Sequence, residues 1–184
     1  MIGLMASLIA GIALHDYTFL LSTVPYFLRL KSRNLSLAAF YVYILLLALT
    51  LPRASLYTYE GARLAIFASA SVFLLLDEVL GGINLSRENA ILTGILIISA
   101  FSDYTLTVIL MTVLFYSAHR RFGKFVYYLL GWIALFGLVL IGFKTQLTDP
   151  VMQAFTIIGV GLVPLLFSEK KNVEFLEVNL REER

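Results

Sequence analysis

The segment Ile2–Leu30, IGLMASLIAGIALHDYTFLLSTVPYFLRL, decides the fold class of this chain. It is an apolar stretch of nearly 30 residues whose single acidic residue, Asp16, lies near its middle. A spanning helix needs about 20 apolar residues, and a straight helix of this length would measure about 43 Å against a hydrocarbon core of about 30 Å. We therefore expect the segment to tilt strongly, to protrude from a bilayer, or to break near its middle.

The composition of the whole chain agrees with a membrane protein. Of its 184 residues 60% are hydrophobic and only 14% are charged, whereas an average soluble domain is about 25% charged. These values argue against a water-soluble globular enzyme and against intrinsic disorder. The chain has no Cys, which excludes disulfides and thiolate metal sites. A net charge of +2 gives no reason to expect nucleic acid, so the expected partner is membrane lipid.

Hydropathy divides the chain into six apolar blocks separated by polar or basic loops. The blocks are 2–30, 35–51, 62–80, 90–117, 125–143 and 151–167. We therefore predict an all-α polytopic membrane protein with six transmembrane helices in a single domain, 1–168. A charged cytoplasmic tail is expected to follow at 169–184.

A short internal repeat suggests how the six helices are organised. The word Asp16-Tyr17-Thr18 recurs as Asp103-Tyr104-Thr105, and each copy lies inside a long block that is followed by a basic loop and two further blocks. The chain is thus expected to hold two three-helix repeats, 1–88 and 89–168. Because three is an odd number, the second repeat enters the membrane from the opposite side, which is the inverted arrangement typical of many secondary transporters.

The loop charges predict the orientation. With six spans, the loops 52–63 and 116–124 and the tail share one side and carry nine Lys and Arg, while the other three loops carry five. Cytoplasmic loops of membrane proteins carry an excess of Lys and Arg. A multi-pass protein of the cell membrane with both termini in the cytoplasm is therefore expected.

Asp16 and Asp103 are the main candidates for chemistry. A carboxylate at mid-bilayer costs about 2.5–3.5 kcal/mol, so it is tolerated where it faces a cavity, a cation or another polar group. Equivalent positions of an inverted repeat meet near the midplane, where two carboxylates would form a hard-cation or metal site or would share a proton. The alternative is that each Asp caps a helix break.

Three neighbours of the carboxylates complete the candidate ion-binding set. His15 is a candidate metal ligand or proton relay, with an interfacial His as the alternative. The hydroxyls of Thr18 and Thr105 either face the ion or bond their own helix backbone. No cofactor is expected apart from a transported cation. The small residues of the third block (Ala65, Ala68, Ser69, Ala70, Ser71) are candidates for a helix-packing seam or a homodimer face.

The layout resembles the lysine-exporter superfamily, in particular its cadmium-resistance-type cation transporter branch. The residues that carry the resemblance are LIAGIALHD at 8–16, ISAFSD at 98–103 and the glycine-containing block at 150–162. The resemblance implies a six-span fold with one acidic residue in the first span and another in the fourth, and it implies cation transport.

We therefore expect a transporter of a small cation, favouring a divalent metal, with protons as the exchanged ion. Two alternatives stay open. The first is an intramembrane aspartyl protease of the prepilin-peptidase type, with Asp16 and Asp103 as its catalytic pair. The second is a non-catalytic subunit or scaffold of a membrane complex.

Overall fold

The computed structural model describes residues 1–52, 54–83, 86–123 and 126–166, and for 163–166 the backbone alone. Within these ranges every regular element is a helix, which confirms the all-α class. The predicted tail, 169–184, lies outside the described residues. The elements are α1 (Ile2–Leu14), a short 3-10 helix (Tyr17–Ser22), α2 (Thr23–Arg29), α3 (Arg33–Thr50), α4 (Tyr59–Gly81), α5 (Arg87–Ser99), α6 (Asp103–Phe122), α7 (Val126–Gly142) and α8 (Pro150–Leu166).

Both long apolar blocks break near their middle. The first divides after α1, where His15 adopts the left-handed backbone conformation with φ 55°. The second divides between the end of α5 at Ser99 and the start of α6 at Asp103. Since α1 and α5 have 13 residues each, each measures about 20 Å and is shorter than a hydrocarbon core.

Two helices of the described chain, α3 and α4, are long and apolar enough to cross a membrane. The apolar helices α1, α7 and α8 are shorter. The six-span arrangement and the inverted repeat therefore stay predictions.

The chain divides into two compact units, Met1–Ser117 and Ala118–Arg184. In the first unit α1 packs most extensively against α4. Gly3, Ser7 and Gly11 follow one another at intervals of four residues along α1, and all three are buried. A side chain at Gly3 would overlap the backbone of Leu74 on α4. Small residues thus allow the two helix backbones to approach closely, as they do between membrane helices.

Helix α4 also buries small residues. Ala70 and Ser71, which belong to the small-residue group of the third block, are fully buried in this unit. They therefore contribute to a helix-packing seam, and the homodimer face stays a prediction.

In the second unit α7 packs against α8. Trp132 on α7 donates a hydrogen bond from Nε1 to the carbonyl of Ile157 at 3.0 Å. Gly161 lies beneath the same indole, where an added Cβ would come within 3.0 Å of the ring. Gly161 thus makes room for the only tryptophan of the chain.

Candidate functional site

The break in the first block is closed by backbone hydrogen bonds and by Asp16. The His15 N–H donates to the carbonyl of Ile12 at 3.2 Å, and the Asp16 N–H donates to that of Gly11 at 3.0 Å. These bonds satisfy two of the carbonyls that a helix C-terminus leaves free, and a left-handed residue at this position is a common way to end a helix. Asp16 Oδ1 then accepts the Thr18 N–H at 2.8 Å and caps the 3-10 helix.

The break in the fourth block is closed differently. The single hydroxyl proton of Thr105 is within hydrogen-bond distance of two carbonyls, those of Ser99 and Ser102, both at 2.9 Å. Thr105 thus bonds backbone carbonyls at the break, and its other expected role, as an oxygen that faces the ion, stays a prediction. Thr18, at the equivalent position of the first break, takes part through its backbone N–H.

Asp103 forms an ion pair with Arg63 of α4. Arg63 Nη1 donates to Asp103 Oδ2, and Nη2 donates to the carbonyl of Ala13 at 3.3 Å. Ala13 is in the last turn of α1, where carbonyls lack helical partners and the helix dipole is negative. The guanidinium therefore lies between a carboxylate and a helix C-terminus. The two side chains are 23% and 38% exposed, for Arg63 and Asp103 respectively.

A cavity of about 210 Å³ opens beside this ion pair. Its polar lining comes from His15, Arg63 and Asp103, and its apolar lining from Ile9, Ile12, Ala13 and Ala100. The residues come from both helix breaks, since α1 ends next to His15 and α6 begins at Asp103. Of the five residues expected to bind the ion, His15 and Asp103 line this cavity, whereas Asp16, Thr18 and Thr105 do not.

Two tyrosines flank the ion pair on its exposed side. The Arg63 guanidinium carbon lies 6.0 Å from the centroid of the Tyr59 ring, within the range of a cation–π contact. The Tyr59 ring lies in turn 5.9 Å from that of Tyr104. Both rings are more than half exposed.

Sequence reasoning missed Arg63 as a functional residue, because the interpretation of 52–63 as a loop counted it among the loop charges. The structure begins α4 at Tyr59, where the Thr58 hydroxyl accepts the Gly61 N–H at 3.1 Å. A Thr placed before an apolar run is a helix-start signal, and starting the helix there puts Arg63 a full turn inside it, rather than at the boundary shared by the third block, 62–80, and the loop.

The described residues contain no group of three or more His, Cys, Asp and Glu side chains that could hold a metal ion. A metal at Asp16 and Asp103 therefore stays a prediction that rests on the sequence.

Comparison with models of known protein families, with curated proteins and with solved structures returns no match for the chain. The resemblance to the lysine-exporter superfamily likewise remains a prediction.

Proposed function

We propose that this chain is an integral membrane transporter of a small cation. The membrane part of the proposal is supported by the distribution of polarity. Only 22% of α3 is buried, and Val42, Leu45 and Leu49 on that helix are 56–82% exposed. The buried residues of the same helix are Ser36, Phe40, Tyr43 and Leu47. The large exposed apolar side chains are unfavourable in water but suit a lipid surrounding.

The single observation that carries the transport part is the cavity beside Asp103. It lies where two apolar blocks break, and in many transporters the substrate site lies between such discontinuous helices, with helix C-terminal carbonyls as cation ligands. A carboxylate, the C-terminal end of α1, an imidazole and the Arg63 guanidinium surround a space large enough for a small cation. Asp103 is the residue that we expect to bind the cation.

The order of the elements supports the two-repeat part of the proposal. Each expected repeat begins with a helix of 13 residues, breaks at its copy of the Asp-Tyr-Thr word, and continues into further helices. The second copy leads into the 20 residues of α6, whereas the first leads into the 3-10 helix and α2. In an inverted repeat the two breaks exchange their exposure as one half moves against the other, so that Asp103 faces each side of the membrane in turn.

The aspartyl-protease alternative requires two carboxylates that share a proton. Asp16 instead caps the 3-10 helix, and Asp103 pairs with Arg63. No specific observation favours proteolysis, so the transporter is the function that we propose.

The test combines ion binding with flux. Thermal melts of the detergent-purified protein in NaCl, KCl, MgCl₂ and MnCl₂ identify the bound ion, because a ligand at 100 times its Kd adds about 2.7 kcal/mol to the free energy of unfolding. We expect one ion to stabilise the wild type but not Asp103→Asn, and reconstituted vesicles to release that ion only with the wild type.

Asp149→Asn is the matched control, because it removes the same charge from an exposed turn outside the site. It should melt and transport like the wild type. If no cation shifts the wild-type melt and none is released from vesicles, the transporter proposal is wrong and the scaffold alternative gains support.

A further inference from the structure

We propose that the Arg63 guanidinium is the resting occupant of the cation subsite at Asp103, and that one monovalent cation displaces it during transport. This inference rests on the proposed function. It adds that Arg63 competes with the transported cation for Asp103, and that the site prefers a cation with a single charge. The geometry that carries it is the position of a positive group between Asp103 Oδ2 and the Ala13 carbonyl.

The ligands around Arg63 are those of a cation site. A carboxylate supplies one negative charge, and the Ala13 carbonyl belongs to the negative end of the α1 dipole. The guanidinium uses Nη1 and Nη2 there, while its buried Nε has no hydrogen-bond partner within the described ranges. A guanidinium has five N–H donors, and the contacts with Asp103 and Ala13 do not use all of them. Arg63 is therefore held by fewer hydrogen bonds than it can form, which suits it to release from the site.

The guanidinium also has an aromatic neighbour while it is paired with Asp103. The Tyr59 ring, already 6.0 Å from the guanidinium carbon, presents an aromatic face on the exposed side of the pair. Tyr104, the residue after Asp103, packs against Tyr59 at 5.9 Å between centroids. The guanidinium makes this cation–π contact and the ion pair at the same time, so the Tyr59 face is already beside it when a cation takes its place at Asp103.

Charge balance indicates which cation replaces Arg63. The cavity lining contains one fixed positive and one fixed negative charge, Arg63 and Asp103, while Asp16 lies outside it. When a cation displaces the guanidinium from Asp103, a single positive charge on the ion balances the carboxylate, whereas a divalent ion leaves one excess positive charge on that pair at a partly buried site. The site is therefore matched to a monovalent cation.

The test compares cation affinity with and without the competitor. Calorimetric titration of the purified protein with NaCl, KCl and MgCl₂, at constant ionic strength set with choline chloride, gives the affinities. If Arg63 holds the carboxylate about nine-tenths of the time, its removal tightens binding about tenfold. We expect Arg63→Gln to bind Na⁺ or K⁺ about tenfold more tightly than the wild type, and Arg63→Lys, which keeps a competing charge, to resemble the wild type.

Two controls separate competition from a general effect of charge. Arg87→Gln removes an equal charge from the exposed start of α5 and should leave affinity unchanged. The double variant Arg63→Gln/Asp103→Asn should bind none of the three cations. A purely structural role of the ion pair would lower stability in Arg63→Gln without this gain in affinity.

Three results would overturn the inference. The first is an Arg63→Gln protein that binds Na⁺ and K⁺ no more tightly than the wild type, while the wild type still binds a cation. The second is a gain for Mg²⁺ alone. The third is an Arg63→Gln protein that stays unfolded in saturating NaCl and KCl, since a cation that replaces the guanidinium should restore the site. Absence of any cation binding, in the wild type and all variants, would instead remove the proposed function itself.

Discussion

Asp16 combines a structural contact with a charge, and one pair of substitutions separates them. Its Oδ1 accepts the Thr18 N–H at 2.8 Å, a bond that needs an oxygen rather than a negative charge. Asn caps helices about as well as Asp, and replacing such a cap by Ala costs about 0.5–2 kcal/mol. We expect Asp16→Asn to keep the wild-type melting temperature and Asp16→Ala to lower it, as measured by circular dichroism in detergent.

The same pair tests the role that the sequence suggested for Asp16. If the carboxylate contributes to ion binding, Asp16→Asn should lose cation-dependent stabilisation although it is fully folded. If Asp16→Asn is as unstable as Asp16→Ala, the charge itself holds the break, and capping is the wrong explanation.

At the scale of single residues, the sequence identified half of the ion pair beside the cavity. Asp103 could be predicted, because an isolated carboxylate in an apolar block is costly and therefore conspicuous. Arg63 could not be predicted in the same way, since it lies near the end of its block and was counted with the adjacent loop. His15 was a candidate for its imidazole, whereas its left-handed backbone follows from how α1 ends.

At the scale of the helices, the contact between α1 and α4 depends on a glycine. A Cβ at Gly3 would overlap the α4 backbone, which cannot move aside as a flexible side chain can. We expect Gly3→Ala to lower the free energy of unfolding by about 1–3 kcal/mol, the usual cost of overpacking. Urea or thermal unfolding in detergent measures the change.

Gly94 in α5 is the matched control for this prediction. Nothing lies within 4 Å of a Cβ built there, so Gly94→Ala should stabilise the protein by about 0.5–1 kcal/mol through helix propensity alone. Equal effects at the two positions would show that close approach of α1 and α4 is not what Gly3 provides.

The breaks in the two long blocks could be predicted from the sequence, but the pairing of the helices could not. A block longer than the bilayer thickness must tilt, protrude or break, and a central Asp favours the break. Which helix packs against α1 is a different question, because α1 is apolar around its whole circumference. Without an amphipathic stripe, the sequence does not indicate which face turns inward. The spacing of Gly3, Ser7 and Gly11 is the feature of α1 from which a packing surface could have been predicted.

At the scale of the whole molecule, the predicted topology places loops on defined sides of the membrane. In a six-span inverted repeat, Lys31 and Thr145 lie outside and Arg120 lies inside. Because the chain has no Cys, single cysteines at these three exposed positions are clean probes. We expect a membrane-impermeant maleimide to label Lys31→Cys and Thr145→Cys in intact cells, and to label Arg120→Cys only after permeabilisation.

The side of the membrane on which Lys31 lies tests the inverted repeat most directly, because α1 alone is too short to cross the bilayer. With 13 residues it spans about 20 Å, so the first block reaches the far side only if the 3-10 helix and α2 continue the crossing beyond the break. Labelling of Lys31→Cys from the same side as Arg120→Cys would mean that the first block turns back within the membrane. The two halves would then not be inverted copies of each other. The alternating exposure of Asp103 would have to come from the movement of a different element. The cysteine-free wild type, which should remain unlabelled on both sides, controls for non-specific reaction.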